Sequence, residues 1–225
     1  ATYCPDDGTG DAHAFTVALA ERAKAMGVTF ALETTIETIA TANGRISGVV
    51  TDKGMLDAEL YVAALGSYSP LLLRPLGLKL PIVPAKGYSA TVPIANPTAA
   101  PSLSVTDEAR KIVITPLGKR LRIAGTAEFA GYDLRLDERR ANVVLKDGLD
   151  LFPRAGRAEE ATLWTGLRPL TPDGAPILGP TPYPNLLLDT GHGTLGWTLA
   201  AGSGAVIAAL ASGREPGVDL SGLTL

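Results

Sequence analysis

Cysteine is almost missing from this chain. Cys4 is the only one among 225 residues, so no disulfide can close within the chain, and such usage fits a reducing compartment. Histidine is nearly as scarce, with His13 and His192 alone. One cysteine and two histidines are too few for a metal cluster or a Ser/His or Cys/His nucleophilic site. An excess of one charge is lacking too: 20 basic and 23 acidic residues leave a net charge of -3. The densest basic group is Arg135, Arg139 and Arg140, which makes no phosphate-tracking surface, so nucleic-acid binding is not expected. No basic region followed by an apolar run opens the chain, and no signal peptide is read there. Only one uncharged run is long enough to cross a bilayer, between Asp189 and Arg214. It contains His192, several threonines and glycines at 191, 193, 196, 202 and 204. A helix buried in a soluble core, preceded by a glycine loop, is the better reading of it.

What is present suits a folded protein of one large or two small domains. Hydrophobic residues make up 46% of the chain and charged ones 19%, enough to form a substantial core. Asp11 can cap a first helix whose Phe15, Ala18, Leu19, Ala23 and Met26 share one face, and Gly27 stops it. Val28 to Leu32 reads as a strand. Ile36–Ala40, Arg45–Asp52 and Met55–Leu65 follow, separated by Asn43-Gly44 and Lys53-Gly54, dipeptides that tolerate positive φ. Ser69-Pro70 opens a short helix. From Leu80 to Arg135 proline and alternating apolar residues predict antiparallel strands, with a hairpin at Leu117-Gly118-Lys119-Arg120. Asp137 starts a second amphipathic helix, with Ala141, Val144, Leu145, Leu149 and Phe152 inward and Pro153 as its stop. A buried strand at Leu186-Leu187-Leu188, a glycine loop and an alanine-rich helix to Ser212 close the chain. The expected fold class is mixed α/β and α+β, with the middle region inserted into the outer one.

Gly191-His192-Gly193-Thr194-Leu195-Gly196 matches G-x-G-x-x-G between a strand and a helix, and Glu215 lies about twenty positions on. The dinucleotide reading fails all the same, because the turn at Gly213–Pro216 and the nine residues after it leave no second strand to complete a βαβ unit. Read locally, the glycines let helix pack tightly on strand. A helix N-terminus also attracts anions, and a flavin develops negative charge on reduction, so the loop could stabilise one.

Longer stretches carry a resemblance. Tyr3–Asp11, Leu65–Ser69, Pro84–Ser89, Trp164–Gly174 and Thr190–Thr198 resemble, in order, the D-amino acid dehydrogenases of the D-amino acid oxidase-like flavoprotein superfamily. The resemblance covers nearly the whole chain. It implies an FAD enzyme whose dinucleotide-binding segment lies upstream, so that this chain is a partial FAD-binding domain with an inserted antiparallel-sheet substrate domain. On that basis residues 1–10 lead in from the substrate domain, 11–80 and 160–225 belong to the FAD domain, and 81–159 form the substrate domain.

The resemblance also places roles. Arg168 matches the arginine that clamps the substrate carboxylate, a pairing its guanidinium fork suits; without the family it reads as a residue pinning a loop. Gly191, His192, Gly193, Thr194, Leu195 and Gly196 match the loop lying against the flavin, with His192 flavin-adjacent or a satisfied buried histidine. Gly66 and Ser67 match the strand end beside FAD, and Ile36 the position whose backbone meets the adenine. Related amine oxidases place a tyrosine before the substrate-domain hairpin, where this chain has Ile112-Val113-Ile114. Tyr88 is a substitute ligand or a core residue with a bonded hydroxyl. No residue is assigned a catalytic role in proton transfer.

The implied reaction is oxidation of a D-amino acid by hydride transfer to flavin, with release of a 2-oxo acid and ammonia and passage of electrons to a quinone or dye acceptor. The implied location is cytoplasmic, peripheral to the inner membrane. Two other readings stand beside it: a hydroxyproline dehydrogenase or glycine oxidase-like enzyme, and a non-catalytic fragment awaiting the N-terminal half or a partner that supplies it. In a fragment, the apolar faces of residues 11–26 and 194–212 would be exposed.

Overall fold

The computed structural model describes residues 2–225; Ala1, the first residue of the expected lead-in, lies outside the described residues. The chain divides into two compact units, Ala1–Thr29 with Lys86–Leu167, and Phe30–Ala85 with Arg168–Leu225.

The first unit is built on five strands: β5 (Val83–Pro93), β6 (Val105–Asp107), β7 (Ile112–Leu117), β8 (Arg120–Glu128) and β9 (Thr162–Leu170), in sheet order β6-β7-β8-β5-β9. The hairpin expected at 117–120 joins β7 to β8 antiparallel, with Gly118 at φ 62° supplying its left-handed residue. Helix α3 (Glu138–Leu151) starts where Asp137 accepts from the Arg139 and Arg140 amides. Its Ala141, Val144, Leu145 and Gly148 are buried, and the first three join Tyr88, Ala90, Val92, Ile112, Ile114, Leu121 and Ile123 in one core. Leu149 and Phe152 pack at its margin. Helix α1 (Ala12–Ala25) has the expected cap, Asp11 accepting from the Ala14 amide at 3.1 Å. The same carboxylate takes Arg120 of β8 at 2.7 Å, which ties the start of α1 to this unit. None of the residues of α1 is buried, and Phe15, Leu19 and Met26 remain exposed.

The second unit holds two small sheets. Strands β1 (Ile36–Ala42), β2 (Arg45–Thr51) and β3 (Gly54–Leu56) form an antiparallel meander. Asn43 and Gly44, at φ 51° and 72°, make the first turn, the pattern of a tight hairpin. The other sheet runs β10 (Ile177–Pro180), β11 (Leu186–Thr190), β4 (Tyr61–Ala63). Here β10 is antiparallel to β11, whereas β4 is parallel to it, with Tyr61, Val62 and Ala63 opposite Leu186, Leu187 and Leu188. Buried Asn185 joins the two sheets. Its Oδ1 accepts from the Ile46 amide at 3.0 Å, and its Nδ2 donates to the Ile46 carbonyl at 2.9 Å. The amide side chain thereby satisfies both backbone groups of a residue that is itself buried, as burial requires. Helices α2 (Ser69–Leu73) and α4 (Gly196–Ala211) complete this unit. No helix among the described residues is long and apolar enough to cross a membrane.

One expected element is absent. Val28 to Leu32 pairs with no strand among the described residues, and Val28, Phe30 and Leu32 are 50%, 43% and 74% exposed. Apolar composition favours a strand only where another strand offers a ladder, and this segment meets none.

Close packing of α3 on β8 gives a direct test. A Cβ on Gly148 would lie 2.6–2.7 Å from three atoms of the Ile123 side chain. Gly148→Ala gains about 1 kcal/mol of helix propensity, but overpacking of this kind costs about 1–3 kcal/mol. Denaturant titration should therefore show a net loss of stability. The double variant Gly148→Ala/Ile123→Ala should lose less than the sum of the single changes, because truncating the Ile123 side chain makes room for the new methyl.

Candidate functional site

Because β4 and β11 are parallel neighbours, their C-terminal ends face the same edge, and the loops that follow both strands emerge there. Ligands in sheets of this kind sit beyond the carboxyl ends of parallel strands. Gly66 and Ser67 follow β4; the loop from Gly191 to Gly196 follows β11. Residues about 125 positions apart are thus gathered at one corner.

Hydrogen bonds lock the corner. Thr190 Oγ1 donates to the Gly66 carbonyl at 3.1 Å and lies 2.8 Å from Ser69 Oγ. Gly66 adopts φ 53°, Gly191 φ 77° and Gly193 φ 55°, a region other residues enter at a cost. Gly193 donates its amide to the Pro169 carbonyl at 2.9 Å, and Leu195 donates its own to the His192 carbonyl at 2.9 Å. At Gly191 close approach adds a second requirement, since a Cβ would sit 2.9 Å from Thr171 Cγ2.

Two features leave donors available at this corner. Leu195, at the N-cap of α4, gives the helix no side-chain cap, which leaves the positive end of the helix facing the corner. Ser67 Oγ is buried without a hydrogen-bond partner among the described residues. Such orphaned polar groups are uncommon and call for an acceptor.

His192 packs inside the loop, its Nε2 2.8 Å from Ser203 Oγ of α4 and 3.3 Å from Asp189 Oδ1 of β11. Burial pushes the Asp189 carboxyl above the ordinary carboxylate range, and nearby His192 pulls it partly back. Asp189 and Ser203 were not picked out by their sequence pattern, and Thr190 only as the first residue of a stretch that carries the resemblance. For Asp189 the available signal was that it is the last charged residue before the uncharged run.

Arg168 lies in β9, half-buried, immediately before Pro169, whose carbonyl holds Gly193. Ile36 opens β1 and lines a cleft of about 440 Å³ with Thr34, Glu37, Leu65, Tyr68 and Leu72. Leu65 directly precedes Gly66, so the cleft adjoins the corner. Tyr88 belongs to the other compact unit. It is fully buried, and its hydroxyl donates to Glu128 Oε2 at 2.6 Å. Burial and then the Glu128 bond hold that hydroxyl above the usual tyrosine range. Lys86, also buried, donates to the Arg135 carbonyl at 2.5 Å and approaches Glu128 at 3.8 Å.

The FAD dependent oxidoreductase (DAO) family matches residues 1–210. The chain is 53% identical over 221 residues to a protein named D-amino acid dehydrogenase from Bradyrhizobium diazoefficiens, covering 98% of this chain and 52% of that protein. A D-amino acid dehydrogenase from Xanthobacter autotrophicus is 53% identical over 222 residues, covering 98% and 53%. The chain thus spans about half the length of the curated relatives it matches. Glycine oxidase from Geobacillus kaustophilus superimposes with a TM-score of 0.83 at 28% identity, covering 93% of this chain and 56% of that one. L-proline dehydrogenase from P. horikoshii has the same fold, with a TM-score of 0.83 at 23% identity, covering 98% and 60%.

The strain at Gly191 makes a checkable claim about the loop. Gly191→Ala should lower stability by about 1–3 kcal/mol through its left-handed backbone and the clash with Thr171. Gly196→Ala, whose added methyl would meet nothing closer than His192 Cβ at 3.7 Å, should be tolerated. Thermal melts of the two variants against the parent chain distinguish them.

Proposed function

This chain belongs to the FAD dependent oxidoreductase (DAO) family, and from that premise we propose that it serves the oxidative deamination of D-amino acids to 2-oxo acids and ammonia. The observation that carries this reading is the corner at the ends of β4 and β11. It joins Gly66 and Ser67 to the glycine loop, within a chain half identical to proteins named for that activity.

The residues present fit FAD. The partnerless Ser67 hydroxyl and the uncapped start of α4 offer donors to an electron-rich group. Gly66, Ser67 and Gly191 to Gly196 would hold it at this corner, and the Ile36 cleft would take its adenine end. When bound, FAD supplies the acceptor for the substrate's hydride, and the protein supplies orientation and electrostatics. Arg168 pairs its guanidinium with the substrate carboxylate, which turns the α-hydrogen towards the cofactor. Tyr88 is the candidate second carboxylate ligand; its hydroxyl is already engaged by Glu128, which argues for a structural part instead. In domain terms, residues 11–80 and 160–225 are assigned to FAD in this reading and 81–159 to the substrate, although helix α1 packs in the compact unit of Lys86–Leu167.

The electron acceptor in this reading is a quinone, reached from the cytoplasmic face of the inner membrane by peripheral contact. Exposed apolar residues support a further element. Phe15, Leu19, Val28, Phe30 and Leu32, with Leu195 and Trp197 at the start of α4, are all open to solvent, more than a finished surface usually leaves in so few segments. An N-terminal half, or a partner supplying it, would cover them and complete the grip on FAD.

Anaerobic bleaching of flavin tests the reaction, using the chain joined to its natural upstream sequence. D-Alanine should reduce the flavin and L-alanine should not. Reduction by glycine or a hydroxyproline in place of D-alanine would favour the related amine oxidoreductases. Arg168→Ala should raise the substrate KM roughly ten- to hundredfold, the loss of a charge-assisted pair. Arg168→Lys should recover only part, because a point charge does not replace the fork. Unchanged kinetics would remove Arg168 from the site.

A further inference from the structure

His192 faces two acceptors with one nitrogen. Its Nε2 lies 2.8 Å from Ser203 Oγ and 3.3 Å from Asp189 Oδ1. Ser203 is buried on α4, Asp189 sits on β11, and the histidine stands in the loop between the two elements. The proton on Nε2 decides whether this arrangement attracts or repels. If Nε2 carries a lone pair, Ser203 can donate to it, but the lone pair then faces the Asp189 carboxylate in a half-buried setting. If Nε2 carries the proton, it can be donated to Ser203 Oγ, and its positive end lies near the Asp189 carboxylate, an attraction without a hydrogen bond. Asp189 Oδ1 is buried and has no hydrogen-bond partner among the described residues, so a lone pair turned towards it makes the first arrangement the costlier one.

We propose that His192 is held as the Nε2–H form by Ser203 and Asp189, and that it acts as a positioning residue that clamps the glycine loop between β11 and α4. This deepens the proposed function and rests on it only for the loop's purpose. Of the side chains in the loop, that of His192 reaches both flanking elements, and it does so from between the two left-handed glycines. The backbone bonds from Gly193 to Pro169 and from Leu195 to His192 fix the loop's path. The ring fixes its tilt on α4, and with it the direction in which the uncapped first-turn amides point. A histidine so placed needs no contact with the reacting atoms. The orientation of an imidazole set by the partner of a ring nitrogen is a general device.

The test begins with a spectroscopic readout that needs no variant of the loop to fold. In the protein carrying its upstream sequence, the imidazole signal that Ser203→Ala shifts and His13→Gln leaves in place is that of His192. Long-range proton–nitrogen correlation at pH above about 8, past the ordinary histidine range, should show His192 with its proton on Nε2. A proton on Nδ1 would overturn the assignment. The positioning role is read separately, by titrating FAD into the protein carrying its upstream sequence. Ser203→Ala should weaken FAD binding about three- to tenfold, the range for one lost hydrogen bond, and Ser203→Thr should restore it. Equal affinity for Ser203→Ala and the parent would refute the positioning role. A parent protein that binds no FAD would instead defeat the functional reading and leave the tautomer result standing.

Discussion

Parallel pairing of β4 with β11 is the constraint on which the site depends. Three residue pairs, Tyr61 to Leu186 through Ala63 to Leu188, bring together segments about 125 residues apart, a closure that only a substantial buried core makes favourable. That core is supplied by Ile39, Ile46, Leu73, Leu78, Ile82, Leu186 and Leu188. Asn185 then sets where the strands begin. It binds both backbone groups of Ile46 with its side chain and accepts the Tyr61 amide on its carbonyl. With the starts of the strands aligned, their ends are aligned as well, and two glycine-bearing turns arrive at the same place. Each polar contact at the corner follows from that alignment, including the bond from Thr190 to Gly66.

The five-stranded unit is organised on a different principle. Its strands are neighbours in sequence except for β5 and β9, and α3 covers β8 through a contact so close that a glycine is needed at 148. Charge is buried here only where it is answered. Lys86 has the Arg135 carbonyl and the nearby Glu128, and Glu128 also accepts from Tyr88. Removing one member of such a group leaves another buried and unpaired, which is why these clusters are costly to break even when they add little net stability.

Apolar exposure follows the same logic in reverse. The residues of α1 repeat at helical spacing and form the predicted helix, yet none of them is buried. Amphipathic spacing reports that a face is suited to packing, and the packing itself depends on what lies opposite. Val28 to Leu32 makes the point more sharply, because its composition suits a strand and its surroundings offer no ladder.

Much of the local structure was legible in residue order. Asp11 and Asp137 capped helices, Asn43-Gly44 and Gly118 turned hairpins, Pro153 ended α3, and the uncharged run after Asp189 became a loop and a helix, because each signal acts within a few residues through backbone geometry and capping; that helix was read as buried, yet it buries only Ser203, Val206 and Ile207. The long motifs around Arg168 and Gly191 likewise pointed to the flavoenzyme family that the chain matches. Tertiary structure decided the rest. Whether Val28–Leu32 is a strand, what Asn185 joins, and that His192 meets both Ser203 and Asp189 depend on which distant segments become neighbours. Such contacts have no fixed spacing in sequence, since they are set by strand pairing and core packing and not by the helical or strand repeat.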